Sequence, residues 1–199
     1  MKYEFVPGDE ITIAPGRTVK RIRALVAISS FATAGSLGGY IEAEVNLSQV
    51  YGNAWVSGDA WVSGDAQVYG NAWVFGDAWV YGNARVYGDA RVYGNARVSG
   101  DARVYGNAQV YGNAQVYGDA WVYGNGLIFW ASKVGTQNGT LTVYNTKDNT
   151  LEVTRGCFKG TVDEFLSKSE AEHDDQTHLE YRLLIEVAHS RITRNQTEK

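Results

Sequence analysis

The sequence predicts a mainly β protein: a parallel β-helix of about four triangular coils, with an N-terminal β cap and a C-terminal α+β cap. Three observations predict it. From Val50 to Leu127 a six-residue unit, Val-(Tyr/Ser/Phe)-Gly-(Asn/Asp)-Ala-(Trp/Arg/Gln), recurs without interruption. Its Ala and the next Val stand two apart, as Ala54 and Val56 do. In an extended chain both therefore face inward, and the Trp, Arg or Gln between them faces out. Each unit also carries a Gly followed by Asn or Asp, which admits positive φ and local side-chain bonding, so the chain turns a corner there. Three such sides close one coil, and identical roles recur every eighteen residues.

Composition agrees. A chain of 199 residues can bury a real core, but Val and Ala are small, so the coil interior is narrow and holds no ligand. Most of the 23 glycines fall at one position of the unit, which makes them corners and not signs of disorder. With 18 basic and 22 acidic residues the net charge is −4, giving no general bias toward nucleic acid or membrane. Cys157 is the only cysteine, so an internal disulfide is excluded. Residues 1–5 carry no secretory apolar run and no stretch is long and apolar enough to span a bilayer; a cytoplasmic location without membrane partners is expected.

Residues 1–49 fall outside the repeat and form the N-terminal cap, since a bare coil end would leave strand edges open to another chain. Extended pieces are expected over Ile11–Ile13 and Val19–Ile28, divided by Pro15-Gly16. Lys20, Arg21 and Arg23 suit a solvated strand face better than an anion site. A turn at Gly35-Ser36-Leu37-Gly38-Gly39 leads through Tyr40-Ile41 and Asn46-Leu47-Ser48-Gln49 into the first coil.

These last segments, from Arg23-Ala24-Leu25 through Ala34-Gly35-Ser36-Leu37-Gly38-Gly39-Tyr40-Ile41 to Gly52-Asn53-Ala54-Trp55-Val56, resemble the start of YdcK-like hexapeptide-repeat proteins of enterobacteria and their prophages. The resemblance implies a left-handed winding. It implies no established activity, although the same repeat is shared with acyltransferases.

In the coil, residues 50–127, the outward positions sorted by eighteen give three faces. One stacks Trp55, Trp73, Arg91 and Gln109; a second Trp61, Trp79, Arg97 and Gln115. The third holds Gln67, Arg85, Arg103 and Trp121, flanked by a ladder of Tyr69, Tyr87, Tyr105 and Tyr123. With rungs about 4.8 Å apart, like residues stack, which stabilises the coil in its own right. Trp, Tyr and Arg are also the residue types enriched in contact cores, so Trp55, Trp61, Trp73, Trp79, Arg85, Arg91, Arg97, Arg103, Tyr69, Tyr87, Tyr105 and Tyr123 are the candidate partner or oligomer surface. The four arginines encircle the prism and do not line one groove, which disfavours nucleic acid, although a Tyr and Arg face would suit a base and its phosphate.

Residues 128–199 form the C-terminal part. Ile128-Phe129-Trp130 is the expected plug of the coil, and Leu141–Tyr144 and Leu151–Thr154 flank Lys147-Asp148-Asn149 as a hairpin. Capping boxes at Thr161…Glu164 and Thr177…Glu180 predict two helices, the second with Leu184, Val187, Ala188 and Arg191 along its stripe. The polar stretch 193–199 is expected to fray.

Chemistry is sparse. The coil has no histidine, so an acyltransferase would have to be divergent; His173, His178 and His189 all follow it. His173-Asp174-Asp175 with His178 suits a solvated helix start better than a metal centre, and Cys157 suits an inert thiol better than a nucleophile. No cofactor, metal or catalytic residue is expected. The expected function is non-catalytic: a rigid surface, binding or inhibitory, that docks a host protein if the gene is phage-borne, with a homotrimer as the form of self-association. A divergent acyltransferase and a nucleotide or oligonucleotide binder are the alternatives.

Overall fold

A computed structural model describes residues 1–123 and 127–197. Twelve strands of two or three residues stack in parallel on three faces. The first face holds β4 (Trp55–Val56), β7 (Trp73–Val74), β10 (Arg91–Val92) and β13 (Gln109–Val110). The second holds β5 (Trp61–Val62), β8 (Trp79–Val80), β11 (Arg97–Val98) and β14 (Gln115–Val116). The third holds β6 (Gln67–Val68), β9 (Arg85–Val86), β12 (Arg103–Tyr105) and β15 (Trp121–Tyr123). Register pairs each residue with the one eighteen further on, as Trp73 with Arg91. Every Ala and Val from Ala54 to Val122 on the inward positions is at most 1% exposed. This is the period-two alternation of the unit made three-dimensional: small residues fill a narrow prism and each outward side chain lies over its like.

The coil runs closer to five turns than to the four expected. The N-terminal block supplies the missing rung: Tyr40 and Ile41 pair in parallel with Trp61 and Val62, and Leu47 bridges Val68. The hand of the winding is carried by the family resemblance alone.

The block itself is an antiparallel hairpin, β1 (Tyr3–Ala14) and β2 (Arg17–Ala24), paired through β2 to β3 (Leu37–Ile41), so the second face continues into a seven-stranded sheet. β1 is longer than the expected Ile11–Ile13, whereas β2 starts before the expected Val19 and stops at Ala24, short of Ile28. Tyr3 enters the core and its hydroxyl donates to the Leu47 carbonyl at 2.9 Å. Asn46, fully buried, donates from Nδ2 to the carbonyls of Gly64 and Ala66, both at 2.8 Å. Backbone groups that another coil would have satisfied are thus met by side chains. The basic cluster is spent structurally: Arg21 pairs with Asp9 and Arg23 with Glu4.

At the other end four antiparallel strands, β16 (Ile128–Val134), β17 (Gly139–Asn145), β18 (Leu151–Arg155) and β19 (Phe158–Thr161), pack across the last coil. Alternation along β17 divides the labour. Leu141 and Val143 face a second core under the helices, while Thr142 and Tyr144 face the coil. Thr142 Oγ1 accepts from the Gln115 amide at 3.1 Å, and Thr154 Oγ1 donates to the Gln115 carbonyl at 2.9 Å. The expected plug is corrected in part: Ile128 and Trp130 pack on the coil's end, but Phe129 joins the second core and Tyr144, fully buried, closes the shaft.

The helices are α1 (Val162–Glu172) and α2 (Asp175–Thr197). Thr161 and Glu164 form the capping box of α1. The second start lies earlier than expected: Asp174 Oδ1 accepts from the Thr177 amide at 2.7 Å, and Glu180 instead accepts from the Gly135 amide at 2.9 Å. The buried stripe of α2 is Tyr181, Ile185, Ala188 and Ile192, with Val187 and Arg191 exposed, so the expected stripe is rotated by about one residue. The tail expected to fray from residue 193 is helical to Thr197; residues 124–126, where the repeat ends, and 198–199 lie outside the described residues.

Candidate binding faces of the coil

Corners set the columns. Gly88 has φ +71, and a Cβ placed there would come within 2.9 Å of the Gly106 nitrogen, so only glycine lets successive corners stack. The next residue forms an amide ladder along part of the coil: Asn71 Nδ2 donates to Asp89 Oδ1 at 3.1 Å, and Asn83 Nδ2 to Asp101 Oδ1 at 3.0 Å.

The first face is largely closed to a partner. Trp55 is 1% exposed beneath the N-terminal block and is a core residue, so its assignment to the binding surface is corrected. Trp73 is half-buried: its indole donates to Ser57 Oγ at 2.9 Å, and it lies between Phe31 at 4.5 Å and Phe75 at 4.0 Å. Phe75, Tyr93 and Tyr111 continue that stack at 4.7 and 4.9 Å to Trp130 of the C-terminal sheet. The sequence reading missed this column, although sorting the residue after each Val by eighteen would have shown it. Arg91 and Gln109 are exposed on this face.

The second face carries two half-buried indoles. Trp61 and Trp79, both half-buried, stack at 4.8 Å and 31°, and the Arg97 guanidinium lies 4.2 Å over the Trp79 ring. Ser63, Tyr81, Ser99 and Tyr117 alternate small and large along the neighbouring column. Tyr117 interacts electrostatically with Tyr81 and Arg97, and Ser99, between the two tyrosines in the column, is buried. Burial, and then the neighbouring Tyr81, push the Tyr117 hydroxyl up to about 12.

The third face is the tyrosine ladder. Tyr69, Tyr87 and Tyr105 stack at 4.8 and 5.0 Å, nearly parallel at 3° and 8°, and Tyr123 follows at 4.8 Å and 40°. Ring faces are spent on one another, so the ladder shows ring edges and hydroxyls. Arg85 and Arg103 occupy adjacent rungs, and Arg103 lies 5.0 Å over Trp121. Burial raises the Tyr69 and Tyr105 hydroxyls above their ordinary value, and the nearby arginines only partly oppose it.

One electrostatic feature spans the faces. Among the described residues, Arg85, Arg91, Arg97 and Arg103 have no carboxylate within ion-pair distance, whereas Arg17 and Arg23 of the cap each have one and Arg21 has two. Arg85 and Arg91 are exposed, and Arg97 and Arg103 half-buried.

The histidine cluster is dispersed. Asp174 serves as the helix cap, the His173 ring packs 5.6 Å from Tyr181, and His178 Nδ1 lies 3.3 Å from Ser169 Oγ. Among the described residues no group of three or more His, Cys, Asp or Glu is placed to hold a metal, and no helix is long and apolar enough to cross a membrane.

The model of the YdcK β-solenoid repeat matches residues 48–64, 66–82, 78–94, 84–99, 90–106, 96–112 and 108–124. No curated protein matches the chain. The coil that bears the three faces is therefore a YdcK-like β-solenoid repeat.

Proposed function

We propose that this is a non-catalytic binding or inhibitory protein, cytoplasmic in its host, that docks a partner protein on the rigid face of Trp61, Trp79 and Arg97. The observation that carries the reading is the stacked indole pair with an arginine laid on it and no carboxylate neutralising that arginine. Such a group is ordered before contact, so a partner loses little side-chain freedom in using it, and its residue types are those that dominate contact cores. The resemblance to proteins of enterobacteria and their prophages suggests a phage-encoded chain and a host protein as target, in a counter-defence or host-modulating role. Association as a homotrimer, with one face of each subunit buried, belongs to the same proposal and predicts a solution mass of three times 21.8 kDa.

Affinity capture from host lysate tests it. One partner is expected to bind the unaltered chain and the Gln109→Ala variant, and to bind Trp79→Ala or Arg97→Ala at least about tenfold more weakly, as for a contact hot spot. A partner lost equally with Gln109→Ala would move the surface to the first face, and no specific partner would remove the proposal. A divergent acyltransferase predicts coenzyme A binding by calorimetry, which the coil's lack of histidine disfavours. A nucleotide ligand predicts a co-purifying ultraviolet-absorbing compound released on heating; the mutual stacking of Tyr69, Tyr87 and Tyr105 leaves few ring faces for a base.

A further inference from the structure

The C-terminal part holds a cavity of about 310 Å³, between the β16–β17 turn, the β18–β19 turn and the two helices. Its walls combine Phe158, Phe165 and Tyr181, with rings 5.3 and 5.2 Å apart along the series, and two cations, Arg155 and Lys168. Lys168 pairs with Glu172 at 3.6 Å. Arg155 has no carboxylate within ion-pair distance among the described residues: its Nη2 donates to the Val134 carbonyl at 3.1 Å, and its Nε is buried without a partner.

The site is shaped around that guanidinium. A Cβ at Gly139 would stand 2.1 Å from Arg155 Nη1, and one at Gly135 would stand 3.4 Å from Nη2. The turn is thus bare of side chains where the arginine lies; Gly135 also faces the Tyr181 hydroxyl, and the Tyr181 ring lies 5.9 Å from the guanidinium. A half-buried cation with an unmet donor is costly unless an anion completes it. A planar guanidinium is matched by a planar carboxylate, which can take hydrogens side by side from Nε, the unmet donor, and its neighbouring Nη.

We infer that this cavity binds a small organic monocarboxylate with a flat apolar body, its carboxylate on Arg155 and its body against Phe158, Phe165 and Tyr181. The volume is at the small end of ligand sites and suits one or two rings. Glu172 on the same wall already holds Lys168, so a dianion such as phosphate would meet one free cation and one opposing carboxylate; a single charge is the better match. The inference is independent of the coil faces and of any protein partner.

The probe is 2-naphthoate, followed by calorimetry and by the rate at which neutral 2,2′-dithiodipyridine modifies Cys157, the only thiol, which is exposed on the cavity wall. Saturable one-to-one binding is expected, with slowing of Cys157 modification at the same midpoint. Arg155→Met, or use of the neutral 2-naphthalenemethanol, is expected to weaken binding about tenfold or more. Because Arg155 is wedged into a turn, Lys168→Met serves as the second variant: it is exposed on α1, its loss leaves the Glu172 carboxylate unneutralised beside the ligand, and it is therefore expected to weaken binding several-fold with an unchanged melting temperature. Absence of both heat and Cys157 protection at millimolar naphthoate would overturn the assignment. So would equal binding of the neutral alcohol, or full affinity in both variants.

Discussion

At Gly88 a single position carries two demands, a left-handed backbone and room for the next corner. Gly88→Ala is expected to cost about 1–2 kcal/mol from the backbone conformation alone, read as a lower urea midpoint with unchanged slope. A tyrosine tests the electrostatics. The Tyr117 hydroxyl is disfavoured as phenolate in the folded chain, mainly by burial, and is held at about 12 against an ordinary 10.0. With the folded value raised, its contribution to stability is whole below pH 10 and is lost as pH rises from 10 to 12. Absorbance at 295 nm should show phenolate appearing later than in free tyrosine, together with loss of the β circular dichroism between those limits. Titration of all 13 tyrosines near pH 10 with the fold intact would contradict this. Single residues also mark where sequence reasoning ended. That Val and Ala fill the coil follows from period two, but the fate of Trp55 does not: its place in the repeat matches that of Trp61, and only the overlying cap makes one core and leaves the other half-open.

Short strands of two residues hold little alone; each is made by its neighbours above and below, and so the elements that end the stack decide whether it forms. At the C-terminal end Thr142 and Thr154 occupy the bonds that a further rung would make to Gln115. Thr154→Val removes one of them while keeping shape, and is expected to cost roughly 1 kcal/mol and to speed amide exchange in the last coil before the first. In α1, Thr161→Ala removes the side chain that accepts from the Glu164 amide and is expected to cost about 1 kcal/mol, measured by thermal melting. The hairpin of β17 and β18 and the box at Thr161 were legible because turn and cap residues act locally. The start of α2 was not: Thr177 and Glu180 have capping-box spacing, but Asp174 lies nearer the true end, and Glu180 is drawn off by a turn far away in sequence. The rotated stripe of α2 follows from packing on β16, which no local pattern announces.

Across the whole molecule two cores meet at β17, one running the length of the coil to Tyr144 and the other under the helices. Deleting residues 86–103, one full coil, is expected to leave a folded chain with every column in line and both caps seated as now. Deleting only 86–91 should also fold, because inward Val and Ala remain in phase, but the C-terminal part turns by a third of a revolution relative to the N-terminal block. Circular dichroism and limited proteolysis would check folding, and a partner bridging coil and cap would be lost only in the shorter deletion. Fold was legible at this scale because the repeat states it many times over, whereas the choice of face was not, since it depends on which outward residues the caps cover. The same uniformity has a genetic consequence. Slippage between repeated gene segments adds or removes eighteen codons at a time, and each event lengthens or shortens every face by about one rung, 4.8 Å, without disturbing either end. Natural variants of such a chain should therefore differ in reach by discrete steps, and a target site could be matched by counting coils before any contact residue had to change.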